Sequence, residues 1–160
     1  MKRQRQKSLQ YLLLAGCIAL PLVVGAMGAV VTASEIPGWY AVLHKPFFSP
    51  PNWIFGPVWT ILYILQGIAL YVVLRKPGQA RRAVALFMAQ LALNLAWSVI
   101  FFGLHQPLWA LFEIVGLWLT LLATIHEFFQ HSRLAGALLI PYIAWVSFAI
   151  ALTMGVVYLN

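Results

Sequence analysis

Apolar residues run in five long blocks, at about Leu9–Ala33, Pro57–Leu74, Ala83–Gly103, Leu108–Phe129 and Leu134–Tyr158. Short polar or proline-bearing stretches separate them: Ser34–Gly56, Arg75–Arg82, a turn around His105-Gln106-Pro107, and Gln130–Arg133. Each block has the length of about 20 residues that a helix needs to cross a bilayer. Helices are the only sensible assignment for runs of this length, because open strands would leave their backbone groups unpaired in hydrocarbon. The pattern therefore predicts an all-α integral membrane protein. It has one domain over residues 1–160, a bundle of five transmembrane helices, with a basic tail at 1–8.

Within the third block, Gln90, Asn94, Trp97 and Phe101 recur at i, i+4, i+7 and i+11, one stripe of a helix. Ala85, Ala89, Ala92 and Ala96 form a second stripe. Small residues let helix backbones approach in a membrane, so the alanines predict a packing seam. An amide facing lipid at mid-membrane is costly, so Asn94 faces protein, water or ligand. Trp59, Tyr63 and Gln66 share a stripe of the second block. Tyr142, Trp145, Ala149 and Leu152 share one of the fifth, just after the kink expected at Pro141. Asn94 and Trp145 both lie about eleven residues from the same end of the bundle, roughly 16 Å at 1.5 Å per residue. That is near the midplane, with Trp59, Tyr63 and Trp97 nearer the proline-rich connection. Two readings are open. These rings either fill a five-helix core or line a flat-walled apolar pocket suited to a planar ligand.

The connection at 34–56 is the densest stretch of the chain in proline and aromatic residues, and it carries one cation. It is too rigid for a slack linker and too apolar for a solvated tail. It reads as a lid over the suspected hollow, with Lys45, Pro46, Phe48, Pro51 and Trp53 as its characteristic residues.

Composition agrees. Hydrophobic residues make up 63% of the chain and charged ones 8%, with mean hydropathy +0.90, which excludes a water-soluble domain. The net charge of +7 does not point to nucleic acid. Nine of the ten Lys and Arg residues fall in the tail and in the second and fourth connections. By the positive-inside rule this predicts a cytoplasmic N-terminus and an external lid and C-terminus, in the inner membrane of a bacterial cell. The basic face meets anionic lipid. The first apolar stretch exceeds the roughly 7–15 residues of a signal-peptide core, so it reads as an uncleaved span.

Other chemistry is sparse. Cys17 stands alone in a span and offers neither a disulfide nor a metal site. His126 and His131 are five apart, where the metalloprotease pattern needs i and i+4, so a solvated helix end is the better reading. Glycine-rich phosphate loops, nucleophile elbows and paired carboxylates are missing, and no metal is expected. His44 and His105 fall in loops; axial haem ligation by His44 is a minor alternative. Glu113 is the one carboxylate well inside a span. It shares a stripe with Thr120, Thr124 and Glu127, which suggests a buried polar seam. The plainer alternatives are that it reaches the external interface or pairs with Lys45.

Three stretches of the chain resemble one known family. The first is Trp39-Tyr40-x2-Leu43-x-Lys45-Pro46-x-Phe48-x-Pro50-Pro51-x-Trp53-x-Phe55, followed by Trp59-x2-Leu62-Tyr63. The second is Gln90-x3-Asn94-x2-Trp97 with Phe101-Phe102. The third is Leu138-Leu139-x-Pro141-Tyr142-x2-Trp145-x2-Phe148-Ala149. In this order and spacing the chain resembles the tryptophan-rich sensory protein or translocator protein family, also called the peripheral benzodiazepine receptor family. The resemblance implies a five-helix bundle, usually a homodimer, that binds porphyrins, haem-related tetrapyrroles, sterols and synthetic aromatic ligands, with no required cofactor. It implies a pocket lined by Trp39, Tyr40, Pro50, Phe55, Trp59, Tyr63, Asn94, Trp97, Trp145, Phe148, Ala149 and Leu152, and shifts the balance from core towards pocket.

The chain departs from the family pattern in two places. Phe47-Phe48 stands where family members commonly have tryptophan next to Lys-Pro, and the closing element reads Leu152-Thr153 with Tyr158-Leu159-Asn160, so that no basic residue follows Tyr158, which puts sterol binding in doubt. On this resemblance the expected function is sensing or transport of tetrapyrroles. One alternative is light- and oxygen-dependent porphyrin degradation with Trp59 and Trp145 as redox partners. Another is a structural or regulatory partner assembled through the alanine seam and through Gly25 and Ala29.

Overall fold

Helix α1 spans Lys2–Glu35, so the basic tail is the first turns of a helix and not a separate arm. The computed structural model describes residues 2–76, 78 and 80–160, with side chains from Gln4 onward. The Lys2 and Arg3 side chains of the predicted tail, and Pro77 and Gln79 of the second connection, lie outside the described residues. A short α2 at Trp39–Val42 and a 3-10 turn at Asn52–Ile54 follow α1, leading into α3 at Phe55–Leu74. Then come α4 (Arg81–Ser98), α5 (Pro107–His131), α6 (Arg133–Ala137) and α7 (Ile140–Leu159). Five helical segments are long and apolar enough to cross a membrane, matching the five predicted blocks with ends extended by a few residues.

Sequence chemistry explains where the helices stop and bend. Pro107 occupies the first turn of α5, where its missing N–H would be unpaired anyway. Pro141 cannot continue a helix from the preceding turn, so the fifth block splits. Helix α6 ends at Ala137 and α7 begins at Ile140 with the proline in its first turn. The expected kink is thus a break. The end of α4 was not foreseen: Val99–Gly103 widens into a π-turn, with Leu104 N–H donating to the Val99 carbonyl at 2.8 Å. The chain then reverses through His105, whose φ of 55° is positive.

Two glycines set the seam between α1 and α3. A Cβ on Gly67 would fall against the Ile18 backbone and 2.7 Å from the Cys17 carbonyl oxygen, and one on Gly25 would meet the Tyr63 ring. Such close approaches are how membrane helices gain packing without a hydrophobic drive. Helix α1 packs on α3 and α4, α4 on α5, and α5 on α7. The core between them holds Phe87 stacked on Phe128 with centroids 6.0 Å apart, together with Leu91, Leu117, Leu121 and Tyr142. The Gln66 and Gln90 side chains are fully buried and bond to each other at 3.0 Å.

The alanine stripe of α4 does not pack within the chain. Ala85, Ala89 and Ala92 are exposed and Ala96 is half-buried. The predicted seam is a free surface of this chain.

Candidate functional site

Trp59, Trp97 and Trp145 come from three different helices and face one cavity of about 620 Å³, walled by α1, the start of α3, α4 and α7. That volume lies within the range of small-molecule pockets, roughly 300–1,000 Å³. Each indole is held by a neighbouring ring. Trp59 stacks on Tyr63 with centroids 5.5 Å apart, Trp97 stacks on Phe101 at 5.2 Å, and Phe55 meets Trp145 edge-on at 5.9 Å. The walls are therefore flat, apolar and rigid.

A polar relay crosses the apolar floor. The Tyr63 hydroxyl donates to Asn94 Oδ1 at 2.7 Å, and Asn94 Nδ2 donates to the Tyr142 hydroxyl at 3.1 Å. Tyr63 and Asn94 both line the cavity. Asn94 thus faces protein and hollow together, as the cost of a lipid-facing amide requires. Trp97 also lines the cavity, and its buried Nε1 has no partner among the described residues. Buried donors are nearly always paired, so this N–H is available to an acceptor on a bound molecule.

The strap from Ile36 to Pro51 closes one end of the bundle. Trp39 stacks on His105 at 4.5 Å and meets Phe101 edge-on at 5.5 Å. His105 Nε2 lies 2.8 Å from Glu35, joining the end of α1 to the α4–α5 turn. Lys45 sits over the Tyr40 ring, 4.6 Å from its centroid. Burial pushes the Tyr40 phenol up from its ordinary value, which keeps it an uncharged donor. The far end of the strap is fastened to α7. The His44 N–H donates to Asn160 Oδ1 at 3.0 Å, Asn160 Nδ2 donates back to the His44 carbonyl at 2.9 Å, and Pro46 rests against Gly155.

Of the twelve residues expected to line the pocket, nine do: Tyr40, Phe55, Trp59, Tyr63, Asn94, Trp97, Trp145, Ala149 and Leu152. The other three stand behind the wall. Trp39 is taken up by His105 and Phe101, Phe148 packs between Trp145 and Phe48, and the strap turns Ser49 rather than Pro50 towards the hollow. Of the lid residues only Trp53 reaches the cavity, while Lys45, Pro46, Phe48 and Pro51 build the cover. The whole α1 wall was missed. Gly25 and Ala29, expected to serve assembly, line the cavity with Gly28 and Thr32. Their spacing was visible, but a stripe of small residues does not say whether a helix or a hollow lies opposite.

Glu113 has no connected seam. Both its oxygens are buried without a partner among the described residues, and Lys45 is engaged elsewhere. The Thr120 and Thr124 hydroxyls donate to carbonyls of their own helix, while Glu127 pairs with Arg82 at 3.3 Å. His131 bonds the Glu127 carbonyl. Among the described residues, no group of three or more metal-binding side chains comes together.

Residues 17–159 match the model of the TspO/MBR family. The chain belongs to that family. It is 45% identical to the tryptophan-rich protein TspO of Chlorobaculum tepidum over 94% of this chain and 98% of that protein. It is 43% identical to the tryptophan-rich protein TspO of Archaeoglobus fulgidus over 92% of this chain and 96% of that protein. It is 39% identical to the translocator protein of Bos taurus over 84% of this chain and 82% of that protein. With its five apolar helices, this TspO/MBR member is an integral membrane protein. The family match reaches from Cys17 in α1 to Leu159 and so contains every wall of the cavity.

Proposed function

We propose that this protein is a receptor or carrier for tetrapyrroles such as porphyrins and haem intermediates, held in the cavity between α1, α3, α4 and α7. The observation that carries this reading is the convergence of three indoles from three helices on one rigid apolar hollow with a polar floor. A flat macrocycle gains most from such walls, because offset and edge contacts between aromatic rings add about 0.5–1.5 kcal/mol each beyond burial. Trp97 Nε1 and the Tyr63–Asn94 pair offer the few polar contacts that fix orientation. Lys45, above Tyr40 at the strap, suits the carboxylates that porphyrins carry. No cofactor is required for binding of this kind.

Arg5, Lys7, Arg75, Lys76, Arg81, Arg82 and Arg133 all belong to one end of the bundle, opposite the strap. On that basis the N-terminus is cytoplasmic, the strap external, and the host membrane the inner membrane of a bacterium. The exposed Ala85, Ala89 and Ala92 face of α4 is where a second copy packs to form a homodimer. Ala89→Leu is expected to weaken that dimer in detergent, as read by cross-linking, and an unchanged dimer would place the interface elsewhere.

The direct test of the ligand class is titration of protoporphyrin IX into purified protein, followed by tryptophan quenching and the Soret band. The reading expects saturable quenching at one site per chain with a shifted Soret maximum. Linear, unsaturable quenching that follows porphyrin partition into detergent would contradict it.

A further inference from the structure

We propose that the cavity is loaded sideways from the bilayer, through a slot between α1 and α3 in the strap-side half of the membrane. Its ligand would be a flat amphiphile already dissolved in lipid, rather than a solute entering under the strap from water. This deepens the tetrapyrrole reading above and rests on it.

The slot follows from how one seam changes along its length. On α3, Gly67, Tyr63, Thr60 and Gly56 recur at helical spacing and form a single stripe facing α1. At the lower end the stripe is shut, with Gly67 against the Ile18 and Cys17 backbone and Tyr63 against Gly25. Towards the strap the same stripe opens: Thr60 and Gly56 are exposed and line the cavity. Helix α1 shows the same change. Gly25 is packed on Tyr63, but Ala26, Ala29 and Ala33 are exposed and line the cavity. The Gly25–Tyr63 register, carried upward, sets Ala29 and Ala33 opposite the first turns of α3.

The exposed cavity-lining residues all belong to α1 or to the segment from Asn52 to Thr60, and none to α4 or α7. The hollow is therefore open on one side only. That side lies between exposed Val23, Met27 and Val30 of α1 and exposed Ile61 of α3, side chains that suit acyl chains. Along the helices the lips carry Ala26, Ala29 and Ala33 on α1 and Gly56 and Thr60 on α3, with the bulky Trp53 only at the strap end of the opening. The strap side is the opposite case, with Asn160 holding His44 by two hydrogen bonds and Pro46 seated on Gly155.

The test compares binding and release rates of protoporphyrin IX, measured by stopped-flow quenching in lipid nanodiscs, for wild type, Ala33→Trp, Leu119→Trp and Asn160→Ala. A plug in the path raises a barrier shared by both directions. Ala33→Trp is thus expected to slow association and dissociation together, each by about tenfold, with little change in Kd. Leu119→Trp adds the same ring on the exposed face of α5, away from the slot, and is expected to leave both rates alone, as is loosening the strap by Asn160→Ala. Wild-type rates in Ala33→Trp, or faster association and dissociation in Asn160→Ala, would overturn the lateral route. A faster dissociation with unchanged association in Ala33→Trp would also overturn it, since that marks lost pocket contacts. If the tryptophan variant does not fold, Ala33→Cys labelled with a bulky maleimide after purification supplies the plug; Cys17 is buried. Failure of the wild type to bind saturably would instead overturn the ligand reading itself, and this proposal with it.

Discussion

Tyr63 donates its phenolic hydrogen to Asn94 Oδ1 at 2.7 Å, joining α3 to α4 beneath the cavity. Because Asn94 passes a second bond to Tyr142 at 3.1 Å, one amide ties three helices together. All three residues are buried, and Tyr142, which does not line the cavity, has nothing else beside it to replace a lost partner.

Removing the amide while keeping its branched shape should therefore be costly. Asn94→Leu leaves two buried hydroxyls unpaired, each a loss of about 1–3 kcal/mol. The expected outcome is a lower Tm in detergent and a larger loss than for Tyr63→Phe, which removes only one end of the relay. Thermal unfolding followed by circular dichroism measures both, and equal stability of Asn94→Leu and wild type would refute the relay.

The strap should be separable from the bundle. Asn160→Ala deletes both hydrogen bonds to the His44 backbone, and Gly155→Val pushes a side chain into the seat of Pro46. Either change is expected to speed amide exchange in residues 43–49 while exchange in α5 stays as in wild type. Protection at His44 that survives both substitutions would mean that the strap is held by something else.

Glu113 should prove dispensable. Its carboxyl oxygens are buried without partners among the described residues, and it does not line the cavity. A buried polar group lacking a hydrogen bond destabilises by roughly 1–3 kcal/mol, so Glu113→Leu is expected to raise Tm and to leave porphyrin affinity unchanged. A fall in affinity in that variant would assign Glu113 a part in binding.

How much of this was legible in the sequence depends on how local each constraint is. The five helices were, because an unbroken apolar run of about 20 residues can pair its own backbone in hydrocarbon only as a helix. The inward stripes of α3, α4 and α7 were too: a mid-membrane amide at Asn94 fixes which way its helix turns, and Trp97 and Phe101 follow by spacing. Helix α1 gave no such sign. Its cavity wall is made of Gly25, Gly28, Ala29 and Thr32, which could as well pack on another helix. The fastening of the strap was hidden for a different reason, since His44 and Asn160 are 116 residues apart. Nothing near either one marks the other. The π-turn at Val99–Gly103 depends on how the chain reverses at His105, which composition does not reveal. The alanine stripe of α4 is plain in the sequence as a run of small residues, but spacing alone does not say what lies against it, and in the structure Ala85, Ala89 and Ala92 are exposed.

The measurement that bears most directly on the central claim is protoporphyrin IX affinity in the Trp59→Ala, Trp145→Ala double variant, set against Trp109→Ala on the exposed face of α5. If the ring-lined hollow is the binding site, the double variant should lose roughly thirtyfold in affinity, at about 1 kcal/mol for each stacked ring, while Trp109→Ala matches wild type. Wild-type affinity in the folded double variant would show that porphyrin binds elsewhere and would contradict the account.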